Sequence, residues 1–235
     1  MSMQCFLFLQ HLLRGFMLLS IVSYSMNVVA GGVALGSTRV IYPIGAKEVP
    51  LAVNNTDDSI PFLIQTWVSK EDGSKARDFI VTPPLFVIKP NKENTLRIMY
   101  AGPDLPQDRE SVFYLNSKAI PSVDQSKLKG NNLQIATQSV LKVFMRPKNL
   151  PVPSIDAPKG LRCSISGGTL VVSNPSPYYV SLVQLYVGGK KQPNAMAAPK
   201  GDTRLSLTGG ESGEVTLQTV NDYGANTPKQ ICLAK

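Results

Sequence analysis

The sequence predicts an all-β chain built as two sandwich domains. Short runs rich in β-branched and aromatic residues recur along it with turn-forming residues between them. No helical period persists across three turns. A proline-rich stretch, Arg146-Pro147-Lys148-Asn149-Leu150-Pro151-Val152-Pro153, interrupts the series past its midpoint, where no central strand can run. The length, 235 residues, suits two domains of roughly 100 residues each, or one large β domain of about 200. Hydrophobic residues make up 43%, enough for real cores, and charged residues only 17%. That is below the roughly 25% usual in soluble domains and leans towards β structure.

The first thirty residues stand apart. Arg14 is their only Lys or Arg, and they hold no acid. An apolar stretch from Phe16 ends at Ala30, with Val28 two residues before it, which suits cleavage before Gly31. The competing reading is an uncleaved anchor, but the run is shorter than the ~20 apolar residues that span a bilayer. Residues 1–30 are therefore predicted to be a signal peptide. No second apolar span follows, so no membrane insertion of the mature chain is expected. Removing the segment takes away His11 and Cys5 and lowers the formal charge from +8 to +7. The two remaining cysteines, Cys163 and Cys232, read as one disulfide in an exported protein. The basic residues are spread along the chain, which argues for solvated surface and against a nucleic-acid partner.

The first domain is predicted over 31–150. Its expected strands run over 33–42, 49–53, 62–68, 95–100, 111–120 and 133–145, the last being the longest. Trp67, on the third of these, is expected in the core, and Phe113, Tyr114 and Phe144 in the core or lining a cleft. The second domain is predicted over 151–235, with strands at 168–173, 179–187, 213–220 and 229–234. Cys163 and Cys232 lie near its two ends, where a staple helps a small domain most.

Catalytic chemistry is poorly represented. Beyond residue 30 there is no histidine, hence no Ser-His-Asp or Cys-His pair and none of the commonest metal ligand. There is no glycine-rich phosphate loop and no H-E-x-x-H. The acids are scattered, and no spacing selects a pair for glycoside hydrolysis. The expectation is a protein that is not an enzyme, with no cofactor and no metal.

The segment Leu105-Pro106-Gln107-Asp108-Arg109-Glu110-Ser111-Val112-Phe113-Tyr114-Leu115-Asn116 closely resembles the signature of the periplasmic pilus and fimbrial assembly chaperones, the PapD-like family. Other pieces follow in the family order: Gly36-Ser37-Thr38-Arg39-Val40-Ile41-Tyr42, Thr82-Pro83-Pro84 before Lys89-Pro90-Asn91, and Leu133-Gln134-Ile135-Ala136 before Lys142-Val143-Phe144-Met145-Arg146-Pro147. Asn174-Pro175-Ser176-Pro177-Tyr178-Tyr179 and Asn221-Asp222-Tyr223-Gly224 resemble second-domain turns of the family. The resemblance covers essentially the whole mature chain. It implies two immunoglobulin-like β-sandwiches set at an angle, like a boomerang. The polar connection 122–132 is short, which resembles the branch that builds rod-like pili.

The resemblance also implies a mechanism. A pilus subunit lacking its final strand exposes an apolar groove and unpaired backbone groups, which invite aggregation. The chaperone lends a strand in the periplasm and delivers the subunit to an outer-membrane usher, without ATP. The lent strand would carry Leu133, Ile135 and Thr137, the last in place of a larger apolar residue. On periodicity alone Leu133 and Ile135 read first as facing this chain's own core, and the resemblance reverses that preference. Arg39 and Lys142 match the pair that anchors the subunit's C-terminal carboxylate. Lys142 has odd separation from Leu133 and Ile135, so a regular strand would turn it to the opposite face unless a bulge or twist intervenes. Glu110, Arg146 and Asp222 match an interdomain salt-bridge trio. Free members of the family can cap their exposed strands by dimerising. The rival readings are a secreted two-domain adhesive or structural surface protein, which needs no shared cationic cleft, and a carbohydrate-active enzyme.

Overall fold

The structure, a computed structural model, describes residues 31–123, 133–207 and 209–234. The predicted signal peptide and most of the connection 122–132 lie outside them. Among the described residues, no helix is long and apolar enough to cross a membrane.

The first sandwich is built from nine strands: β1 (Val33–Leu35), β2 (Arg39–Pro43), β3 (Val49–Asn55), β4 (Phe62–Ser69), β5 (Phe79–Thr82), β6 (Leu85–Ile88), β7 (Lys92–Tyr100), β8 (Ser111–Pro121) and β9 (Thr137–Arg146). They form one sheet in the order β1-β3-β7-β5 and a second in the order β2-β9-β8-β4-β6. Alternate residues of the two inner faces interdigitate to make the core, as in any two-sheet sandwich. Val53, Ile64, Leu96, Ile98, Leu115 and Val143 are among its fully buried members. The strand expected over 33–42 is two strands. β1 pairs antiparallel with β3, while β2 crosses to the other sheet and pairs parallel with β9. Gly36 marks the crossing. Its N–H donates to the Ala52 carbonyl at 2.8 Å, and a Cβ there would stand 3.0 Å from the Ala52 methyl, too close for a side chain without a shift.

Trp67 is not in the core. Ile64, Thr66 and Val68 are buried on the inner face of β4, so the period of two turns Gln65 and Trp67 to the outer face, where Trp67 is half-buried. Phe113 is in the core and packs against Phe79 at 4.8 Å between ring centroids, while Tyr114 takes the opposite face.

The second sandwich follows a short 3₁₀ helix, Ser154–Gly160. One sheet joins β10 (Arg162–Ser166), β11 (Thr169–Asn174), β15 (Gly201–Ser206) and β18 (Leu233–Ala234) in the order β15-β11-β10-β18. The other joins β12 (Val180–Val187), β13 (Lys190–Lys191), β16 (Val215–Val220) and β17 (Gln230–Ile231) in the order β13-β12-β16-β17, with β14 (Ala195–Ala197) paired to β12. Its core holds Leu170, Val172, Leu182, Leu185, Val187 and Leu217. A disulfide joins Cys163 to Cys232, Sγ to Sγ 2.08 Å, and closes a loop of 69 residues. Constraining a loop of that size in the unfolded chain contributes about 4 kcal/mol in the chain-entropy model. The Cys163→Ala/Cys232→Ala double variant is therefore expected to lose about 4 kcal/mol of stability, read as a lower urea midpoint for the second sandwich.

Candidate functional site

The site is organised by β9. Leu141, Val143 and Met145 face the first core. Lys142, Phe144 and Arg146 alternate with them and face the second sandwich, through contacts described below. The pairing of β9 with β8 and with β2 runs without a bulge. Lys142 therefore does lie opposite to the core-facing series, and no irregularity brings the two series together. Upstream, the ladder ends at Thr137. Leu133, Ile135 and Thr137 continue the core-facing count by twos but are exposed, Leu133 at 86% and Ile135 at 65%. They are not part of this chain's own core. Gln134 fastens the segment, its side-chain N–H donating to the Pro121 carbonyl at 2.7 Å.

Arg39 and Lys142 are direct partners across the β2–β9 pairing. Facing them are Ser181 and Val220, direct partners across the β12–β16 pairing of the second sandwich. Arg39 donates from Nη1 to the Val220 carbonyl at 3.0 Å, and Lys142 donates from Nζ to Ser181 Oγ at a longer 3.4 Å. Two cations side by side on one domain thus meet two oxygens side by side on the other. Arg39 also lies over the Phe144 ring, 5.9 Å from its centroid. Burial pushes both cations below their ordinary pKa, and for Lys142 the neighbouring Arg39 charge adds to the effect. Neither has an ion-pair partner among the described residues, and the Arg39 Nε is buried with no hydrogen-bond acceptor among them. Two juxtaposed, partly desolvated cations have the chemistry to receive an anion, and a carboxylate could accept from both.

Behind this pair the domains are tied by Arg146. Its Nε donates to Glu110 Oε1 at 2.7 Å, and its two terminal nitrogens donate to the Asp222 carboxylate at 2.7 and 2.8 Å. Glu110 Oε2 accepts from the Tyr179 backbone N–H, and Asp222 accepts from the Ser154 hydroxyl, each at 2.8 Å. The Arg146 guanidinium lies over the Tyr178 ring, 5.0 Å from its centroid. The turn after β16 is backed up closely. Gly224 has φ +88°, and a Cβ there would collide with the Thr38 hydroxyl, one residue before Arg39. Sequence reasoning missed Ser181 and Val220. Ser181 sits in a mostly apolar strand, and Val220 acts through its backbone, which leaves no mark on residue identity.

Comparison with known proteins fits this geometry. Residues 32–151 match the family described as pili and flagellar-assembly chaperone, PapD N-terminal domain. Residues 156–231 match pili assembly chaperone PapD, C-terminal domain. The chain belongs to the PapD family of pilus-assembly chaperones. It is 49% identical over 209 residues to the probable fimbrial chaperone SfmC of Escherichia coli K12, covering 88% of this chain and 90% of that one. It is 48% identical over 218 residues to the chaperone protein FimC of E. coli O6:H1, covering 91% and 90%. Among solved structures, the periplasmic chaperone SfaE aligns with a TM-score of 0.76 at 42% identity, covering 86% of this chain and 100% of that one. The SafB chaperone, solved in complex with the Salmonella enterica pilin SafA, aligns with a TM-score of 0.78 at 30% identity, covering 87% and 97%. Family membership sets aside the adhesive-surface-protein reading.

The trio gives the site a pH response. Bonds from Arg146, and then from Ser154, hold Asp222 below its ordinary 3.8 against the cost of burial. Glu110 moves up, because burial outweighs its bonds to Arg146 and Tyr179. A depressed carboxylate contributes stability that is present above its unfolded pKa and lost as pH falls through the folded one. Wild-type stability is therefore expected to drop as pH falls below 3.8, followed by urea midpoints across an acid series. Asp222→Asn should start lower at neutral pH and lose less over the same interval. Parallel curves would mean that Asp222 is not the group titrating.

Proposed function

We propose that the chain works in the periplasm, delivered there by a cleaved signal at 1–30, where it holds pilus subunits by lending them the strand that begins at Leu133. The observation that carries this is the continuation of the core-facing count of β9 into solvent. Leu141, Val143 and Met145 bury themselves in the chaperone, while Leu133 and Ile135 offer the same alternation to another chain. A subunit with an open groove would gain main-chain hydrogen bonds from the segment and two large apolar side chains from one of its faces. Thr137 fills less of such a groove than a leucine would. Arg39 and Lys142 would fix the register by receiving the subunit's terminal carboxylate, and Arg146 with Glu110 and Asp222 would hold the angle between the domains. The subunit is then passed to an outer-membrane usher. The exposed segment also gives the free chain a reason to cap itself by dimerising.

Co-purification from the periplasm with subunits encoded beside the chaperone gene tests the reading. Wild type should recover a subunit, and Arg39→Ala and Lys142→Ala should lose it while remaining folded by circular dichroism. Normal recovery by both variants would sink the anchor assignment. Ile135→Ala should weaken subunit binding by about 1.5–3 kcal/mol, the worth of one buried aliphatic side chain, measured by competition for a limiting amount of subunit.

A further inference from the structure

We propose that the second sandwich is part of the carboxylate anchor: Ser181 and the Val220 carbonyl are positioning groups that aim Lys142 and Arg39. This deepens the anchor reading above and rests on it. The four groups form two matched pairs. Arg39 and Lys142 are Cα partners on one sheet, Ser181 and Val220 are Cα partners on the other, and each cation donates to the oxygen across from it. A lysine or arginine has many rotamers, and fixing one on binding costs conformational entropy. Contacts made before the subunit arrives remove part of that cost. Ser181 is suited to the task because it is buried at 4% exposure and fixed within a paired strand.

The trio grips the chain just beyond the Val220 carbonyl. Asp222 stands two residues beyond it and is gripped by both terminal nitrogens of Arg146. Arg146 is itself on β9, four residues from Lys142. The path from Arg146 through Asp222 and Val220 to Arg39 therefore begins and ends on neighbouring strands of the first sandwich and passes through the second domain. The ion pair that sets the domain angle also sets where Arg39 points. A change of angle would move the acceptors away from both cations together.

The test uses the full-length mature chain and a synthetic peptide copying about ten C-terminal residues, a long strand's worth, of the co-purified subunit. The peptide is made as the free acid and as the C-terminal amide, and affinities are measured by calorimetry. Wild type should prefer the acid, and Lys142→Ala should erase that preference. If wild type shows none, the anchor reading itself fails. With the preference present, Ser181→Ala should weaken the acid about fivefold, the worth of one ordinary hydrogen bond, and leave the amide unchanged. Ser181→Thr should restore it. Asp222→Asn should lower acid affinity in the same selective way. Unchanged acid affinity in Ser181→Ala overturns the proposal. So does an equal loss for acid and amide, which would make Ser181 only a spacer between domains, and so does failure of threonine to restore the preference.

Discussion

The structure depends on the period of two along β9. One strand must bury Leu141, Val143 and Met145 in its own sandwich and present Lys142, Phe144 and Arg146 to the other domain. Any slip of one residue would exchange these sets, placing a lysine and an arginine in an apolar core and two aliphatic side chains in a charged cleft. Two neighbours prevent it. β8 pairs with β9 from Ser111 to Ala119, and β2 pairs from Arg39 to Pro43 on the other side. Because β2 is fixed against β9, Arg39 is fixed against Lys142, and the cationic pair follows from the same register that makes the core.

Burying charge in that cleft has a cost, and the arrangement shows where it is offset. Glu110 is almost completely buried, and both of its oxygens accept hydrogen bonds. Arg146 uses Nε and both terminal nitrogens on carboxylates. Such a saturated group contributes little net stability compared with apolar packing, but removing one partner leaves an uncompensated charge. Its value lies in orientation. Three residues from three separate parts of the chain satisfy one another in a single relative placement of the domains, whereas apolar contacts tolerate sliding. Lys142, four residues back along β9, and its partner Arg39 are the contrasting case. Arg39 lies over the Phe144 ring, both donate to neutral oxygens, and the Arg39 Nε has no acceptor among the described residues.

Much of the fold was legible because alternation and turn residues mark strands locally. Most of the long strands of the first sandwich announce themselves this way. β10 and β15 did not, because Arg162–Ser166 and Gly201–Ser206 alternate small or polar residues and carry few large apolar ones. Trp67 was misjudged by its size, although its neighbour Gln65, two residues away on the same face, marked that face as the outer one. The break at Gly36 was hidden inside one continuous β-rich run, since a change of sheet alters partners and not composition. The trio lay beyond local reading altogether. Arg146 is 36 residues from Glu110 and 76 from Asp222, so only likeness to a known family could bring the three together before a structure did.

The division of labour between the two faces of β9 bears on how a client could be held firmly and still released. Apolar burial is roughly proportional to area and indifferent to register, so Leu133 and Ile135 alone would accept a client strand shifted by two residues almost as well. A carboxylate can reach Arg39 and Lys142 from only one register, because it occurs once, at the end of the client chain. On the proposed mechanism, charge would select the alignment and apolar contact would supply the affinity. A partially desolvated cation pair is well suited to the first role. Its repulsion is relieved only when the anion arrives, so the misaligned complex carries a penalty that the aligned one does not. On the same proposal Thr137 would shift the balance further in that direction, since a smaller side chain in a lent segment reduces the register-blind part of the binding and leaves the register-dependent part intact.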